Sequence, residues 1–182
     1  MATMARAGQL IGDIMATCNA CNTSIAVTDN QITKPVQCSI FALLGADKSS
    51  VTGDGTAYTL AGWTNVPYNI GNHFNATTGI FTAPTTGIYS VNVMVCFDSS
   101  TAINEEISYI VTTARSYIFS CFPESKRCSN FYGSNRWIQD NGTYLINMTQ
   151  GDTLYIVNKA SGSASKSGSV IQYSHLSIDL LQ

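Results

Sequence analysis

From Lys34 onward, apolar and polar side chains alternate with a period of two. In 87–97 the odd positions Tyr89, Val91, Val93, Val95 and Phe97 are apolar, with Ser90 and Asn92 between them. In 106–113, Ile107, Tyr109 and Val111 alternate with Glu106, Ser108 and Thr112. In 143–148, Tyr144, Ile146 and Met148 alternate with Thr143 and Asn147, and in 174–181 Leu176, Ile178 and Leu180 alternate with His175, Ser177 and Asp179. Successive side chains of a strand point to opposite faces, so each segment predicts a strand that buries its apolar face. Turn signals punctuate these runs: TGDGT at 52–56, TTG at 77–79 and 85–87, DNGT at 140–143, QGD at 150–152 and a Gly/Ser stretch at 160–169. Short strands at this spacing predict an all-β fold of antiparallel sheets packed face to face, a β-sandwich or jelly roll.

Residues 1–34 read differently. Met4, Ile11, Ile14, Met15 and Cys18 recur at roughly helical spacing, which allows a short amphipathic helix between residues 4 and 17. Gly8 and Gly12 weaken it by about 1 kcal/mol each relative to Ala. The expected organisation is an N-terminal arm or tether over 1–34 and one sandwich domain over 35–182. Gln9 and Asp13 interrupt the apolar stretch of the arm, so it is expected to be retained rather than cleaved as a leader.

Composition narrows the function. Charged residues are 11% of the chain, less than half the usual share, while hydrophobic residues are an ordinary 45%. A net charge of −2 with scattered Lys and Arg supplies no footprint for nucleic acid. No apolar run is long enough to span a bilayer as a helix.

The stretch beginning at Trp63 resembles the signature of the complement C1q globular-head family, which shares its jelly roll with the tumour necrosis factor superfamily. Trp63, Asn69, Phe74, Phe81, Gly87 and Tyr89 stand at the family's spacings, and TGIFTAP followed by TGIY looks like its core hairpin. Where the family continues with alternating aromatics, this chain has Val91 and Val93. KPVQCSIFALL at 34–44 is similar to the first strand of that fold, GDTLYIV at 151–157 to its Gly-Asp strand, and YSHLSIDLL at 173–181 loosely to its closing strand. The resemblance covers about 34–182. It implies a jelly roll of about ten strands, a homotrimer and a non-catalytic domain. It also implies calcium as a ligand in parts of the family, although Asp47, Asp54, Asp98, Glu105, Glu106, Asp140 and Asp152 show no spacing that demands the ion. A Gly-X-Y stalk is absent from these residues, and a cysteine-bearing insert stands near 121–136.

Candidate chemistry is sparse. His73 and His175 are the only histidines, and nothing in the sequence converges on either, so neither catalysis nor a metal centre is expected. SASK at 163–166 matches Ser-x-x-Lys but lies in a Gly/Ser stretch, where no helix brings the lysine under the serine. CNAC at 18–21 lacks the βα context of a redox pair. The six cysteines leave their pairing open. CFPESKRC at 121–128 has the spacing to close a small loop, and Cys96 reads as a small buried residue. Sequons at Asn22, Asn75, Asn141 and Asn147 are what a Ser/Thr-rich chain produces by composition. SNFYGSNRW at 129–137 gathers Phe131, Tyr132, Arg136 and Trp137 in a polar, turn-rich stretch, and these are the side-chain types that anchor binding sites.

Together these features predict a trimeric structural or binding head with no cofactor. The favoured expectation is a virion component assembled in host cytoplasm: a capsid-associated protein, spike or fibre tip. Its arm would dock on other capsid or assembly proteins, and its loops would meet a cell-surface receptor or glycan. The alternative is an extracellular, C1q-like recognition module that binds carbohydrate or protein. A metal-dependent jelly-roll enzyme would need a His-rich cluster that two separate histidines do not supply.

Overall fold

The computed structural model describes residues 26–28, 31–33, 38–98, 103–123 and 137–181. The chain divides into two compact units, Met1–Gln37 and Cys38–Gln182. In the first, β1 (Ala26–Thr28) and β2 (Gln31–Thr33) pair antiparallel, with Val27 opposite Ile32. The helix expected between residues 4 and 17 lies outside the described residues.

In the second unit every regular element among the described residues is a strand, and all pairings are antiparallel. The seven-stranded sheet runs β4 (Lys48–Thr52), β14 (Gly168–Val170), β9 (Gly87–Asp98), β15 (His175–Leu181), β3 (Ser39–Leu43) and β6 (Asn65–Ile70), with β12 (Trp137–Met148) on the other side of β9. The six-stranded sheet runs β11 (Ser116–Pro123), β10 (Glu105–Thr112), β13 (Thr153–Ser161), β8 (Ile80–Thr82) and β7 (Phe74–Asn75), with β5 (Ala57–Thr59) also on β13. Strands far apart in sequence lie side by side, and the two sheets form a jelly-roll sandwich.

The core forms where the alternation predicts it. Tyr89, Val91, Val93, Val95 and Phe97 of β9 are buried. So are Ile40 and Ala42 of β3, Leu176 and Ile178 of β15, and Ile146 and Met148 of β12. They join one cluster with Ile110, Leu154 and Ile156 of the opposing sheet. Each large side chain enclosed in this way contributes about 1.5–3 kcal/mol relative to exposure. Cys96 is also buried, although its position alternates with the inward residues of β9.

Two expectations fail, for identifiable reasons. DNGT at 140–143 is not a turn: it lies inside β12, where Asp140 pairs with Val95, Asn141 with Met94 and Gly142 with Val93. The twelve-residue β9 carries the ladder through this segment. A Cβ at Gly142 would stand 2.7 Å from the Cβ of Phe119, so the glycine marks a close approach of β11 rather than a bend. In β10 the phase is inverted. Glu106, Ser108, Ile110 and Thr112 face inward and are buried, while Ile107, Tyr109 and Val111 are half-buried on the outer side. The inward polar groups are held by one another and by side chains from β12 and β13, partners that the local pattern of β10 does not reveal.

Candidate functional site

The six signature residues build one corner of the sandwich. Asn69 of β6 clamps the turn that follows it: its Nδ2 donates to Phe74 O at 2.8 Å, and its Oδ1 accepts from Phe74 N at 3.2 Å. Phe74 packs edge-on against Trp63 at 5.9 Å, and the Trp63 indole donates to Leu60 O at 3.0 Å. Phe81 packs edge-on against Tyr89 at 5.5 Å, and the Tyr89 hydroxyl donates to Thr85 O at 2.7 Å. Gly87 opens β9. Trp63, Phe74, Phe81 and Tyr89 are all buried, so this corner acts as a scaffold rather than a contact surface.

Of the predicted binding stretch, Phe131, Tyr132 and Arg136 lie outside the described residues, and Trp137 is seen as the first residue of β12, paired with Asp98. His73 lines a shallow open groove of about 630 Å³ with Asn72, Phe74, Asn75, Thr78, Ile80 and Thr82, a lining without acid or amine. His175 lies on the outer face of the seven-stranded sheet, 6.0 Å from the Phe41 ring. The two histidines thus stand on different elements and share no site.

The cysteines among the described residues are free thiols: Cys38 and Cys96 are buried, and Cys121 is exposed. Burial, helped by the charge of Asp179, pushes the Cys38 thiol up to about 11. Burial, with Asp98, Asp47 and Asp140, does the same at Cys96. These two behave as small enclosed apolar groups rather than nucleophiles. The calcium implied for parts of the family does not fit the described acids. Asp47 accepts from Gln172 N, Asp54 from Thr56 N and Asp152 from Thr149 N. Among the described residues no group of three or more His, Cys, Asp or Glu is placed to hold a metal ion.

The feature that local alternation did not single out is the outer face of the seven-stranded sheet. Register places Tyr68, Phe41, Ser177, Asn92 and Thr143 in one row across β6, β3, β15, β9 and β12. The next row is Ile70, Ser39, Asp179, Ser90 and Leu145, and a third joins Leu181, Ile88 and Asn147. Tyr68, Ile70, Ile88, Leu145 and Leu181 are large apolar side chains left in solvent; Leu145 is 66% and Ile70 50% exposed. The central polar groups satisfy one another: Ser39 Oγ donates to Asp179 Oδ1 at 2.5 Å, Ser177 Oγ to Asp179 Oδ2 at 3.2 Å, and Thr143 Oγ1 to Asn92 Oδ1 at 2.8 Å. Asp179 and His175 are the only side chains of these rows and the neighbouring His175–Met94 pair that carry or can acquire charge. A second apolar point lies at the β11–β12 edge, where Ile118 is also exposed and the Tyr144 hydroxyl donates to Ile118 O at 2.8 Å. Exposed apolar rows around a self-satisfied polar centre describe a surface built to be covered by protein.

A two-sheet jelly roll whose aromatic corner is buried and whose sheet face is apolar is a scaffold that presents a protein-binding surface. A family model, the C1q domain, matches residues 47–175, and the chain belongs to that family. C1q and tumour necrosis factor domains usually form homotrimers, and the family is non-catalytic. Among solved structures, the globular domain of zebrafish complement 1qA protein is similar at 15% identity and a TM-score of 0.51, covering 80% of this chain and 98% of that one. Murine APRIL is similar at 13% identity and a TM-score of 0.51, with 80% and 99% covered. Eiger TNF from S. frugiperda is similar at 14% identity and a TM-score of 0.50, with 80% and 92% covered. At these identities the likeness is one of fold. Comparison with curated proteins gives no match.

Proposed function

We propose that this chain forms a homotrimeric, non-catalytic head carried on a virion, with residues 1–34 as its tether to capsid or assembly proteins and its loops meeting a cell-surface receptor or glycan. The observation that carries the reading is the apolar outer face of the seven-stranded sheet, where Tyr68, Ile70, Ile88, Leu145 and Leu181 stand in solvent. Ile118 of β11 is a separate exposed apolar point on the other sheet, and two different apolar surfaces favour a head-to-tail contact, which closes into a ring when the rotation allows. Free thiols at Cys38, Cys96 and Cys121 suit assembly in a reducing cytoplasm. A chain with few charges suits a molecule that covers much of its surface with copies of itself.

The test compares the full chain with a truncation to residues 35–182, both by size in solution and by recovery in particles when co-expressed with capsid proteins from the same source. The expected result is a trimer in both cases and particle association only for the full chain. A monomeric full chain would sink the trimer, and undiminished particle association of the truncation would sink the tether. The alternative, an extracellular recognition module, is favoured by the exposed sequon at Asn75. Glycan found on Asn75 of the native protein would replace the virion reading with that one.

A further inference from the structure

Between the two sheets lie two carboxyls with no cation beside them among the described residues. Glu106 of β10 and Asp140 of β12 are 1% and 2% exposed, and Asn158 of β13 is fully buried next to them. Ser108 Oγ stands 3.1 Å from Glu106 Oε1 and 3.1 Å from Asp140 Oδ2. Asn158 Nδ2 donates to Glu106 Oε1 and, at 3.0 Å, to Ser108 Oγ. A hydroxyl has one hydrogen, so Ser108 can donate to only one of the two carboxyls. Glu106 Oε2, Asp140 Oδ1 and Asn158 Oδ1 have no partner. All three are lone-pair oxygens, and an enclosed charge without a counter-charge is far too costly to keep. The deficit is therefore in hydrogens as well as in positive charge.

A metal ion is the poorer remedy. Calcium takes six to eight oxygens and magnesium usually keeps several waters, whereas this enclosed cluster offers three unused oxygens. One proton supplies a donor where none exists and removes one of the two charges. We propose that Glu106 and Asp140 hold a proton between them in the closed sandwich, and that losing it as pH rises loosens the contact of β10 with β12. The chain therefore carries a stability switch that favours the folded state in acid. Consistently, burial first, and then the charge and hydrogen bond of Asp140, raise the Glu106 carboxyl well above its usual range.

The described residues around the pair do not supply another counter-charge. β10 adds Ser108 on the same face and Glu105 on the opposite one, where Glu105 bonds Ser161. β13 adds Asn158, with Lys159 on the opposite face, and β11 adds the exposed Cys121 opposite Ile107. β9 adds Cys96, whose thiol stays neutral to about 11, and Asp98, itself raised by burial and by Asp47.

The sign follows from proton counting. Above the unfolded carboxyl's value of 4.5 the unfolded chain has released the proton and the folded chain has kept it. Stability is therefore fully present below that value and lost as pH rises through the folded one. The test measures urea unfolding of the full chain between about pH 5 and 8, below the range where the buried thiols titrate, for wild type, Glu106→Gln and Asp140→Asn. Wild type should lose up to about tenfold in its folded-to-unfolded ratio per pH unit relative to Glu106→Gln, which mimics the protonated acid, whereas Asp140→Asn removes the neighbouring charge but leaves Glu106 buried and should give a shallower slope that persists. Parallel profiles for wild type and both variants would overturn the proposal. So would stoichiometric cation in the purified protein whose chelation lowers the melting temperature. Should neither variant fold, carboxyl carbon NMR of the wild type decides: a protonated Glu106 at neutral pH supports the shared proton, and titration near its ordinary value refutes it.

Discussion

Replacing Leu145 with Glu should separate the protomers without unfolding them. Leu145 projects from β12 with 66% of its surface in solvent, while its neighbours Ile146 and Tyr144 serve the core and the β11 contact. Full burial of a leucine contributes about 1.5–3 kcal/mol, so covering the exposed two thirds contributes about 1–2 kcal/mol at each contact. A three-fold ring repeats the contact three times, which brings the loss to about 3–6 kcal/mol per trimer. At about 1.4 kcal/mol per tenfold, the assembly constant should fall by roughly two to four orders of magnitude, and desolvation of the new carboxylate deepens the loss. Ile88→Glu, beside Leu145 on the same sheet face, should act in the same direction. Ala164→Glu adds the same charge at an exposed position of the 160–169 stretch and should leave the trimer intact. Sedimentation velocity over a dilution series reads the assembly state, and a thermal melt confirms that each variant folds. Leu145→Glu and Ile88→Glu sedimenting as trimers at the dilutions where wild type does would refute assembly through that face.

Two further outcomes test the scaffold. Gly79 has φ +73°, and a Cβ there would stand 1.9 Å from Leu60 O, so Gly79→Ala should cost at least about 2 kcal/mol in urea unfolding; a change within about 0.5 kcal/mol would contradict the geometry of that turn. Native protein treated with iodoacetamide near pH 8 should label Cys121 and spare Cys38 and Cys96, whose thiols stay neutral and enclosed until about 11. Peptide mapping that finds Cys38 labelled as fast as Cys121 would show that the β3 end of the core opens readily.

The β-sandwich was legible because β9, β12 and β15 each keep their apolar positions on the more deeply buried face, so period two carries the whole signal. It failed at β10 because three of the four buried positions on that strand are polar. Ile107, Tyr109 and Val111 meet Lys159, Val157 and Tyr155 of β13 on the outside, while the inward Glu106 and Ser108 depend on Asp140 and Asn158, 32 or more residues away. Local alternation cannot see a hydrogen-bond partner at that distance. The spacing from Trp63 to Tyr89 located the scaffold corner, since Asn69, Phe74 and Phe81 interlock within one short span. The apolar sheet face escaped for the opposite reason. Leu145 and Ile88 stand among Thr143, Ser90 and Asn147, and only the register of five strands gathers them into rows.

The place of β15 sets a schedule for synthesis. The sandwich strand that comes last in sequence order among the described residues lies in the middle of its sheet, between β9 and β3, and Ser39 meets Asp179 across 140 residues. Neither β3 nor β9 can complete its ladder until residues 175–181 have left the ribosome. A growing chain therefore carries both open strand edges from the emergence of β9 to that of β15, which makes nascent polypeptides prone to pairing with one another. Termination before residue 175 removes a central strand, so such products should partition into aggregates instead of poisoning the assembly with almost-native subunits.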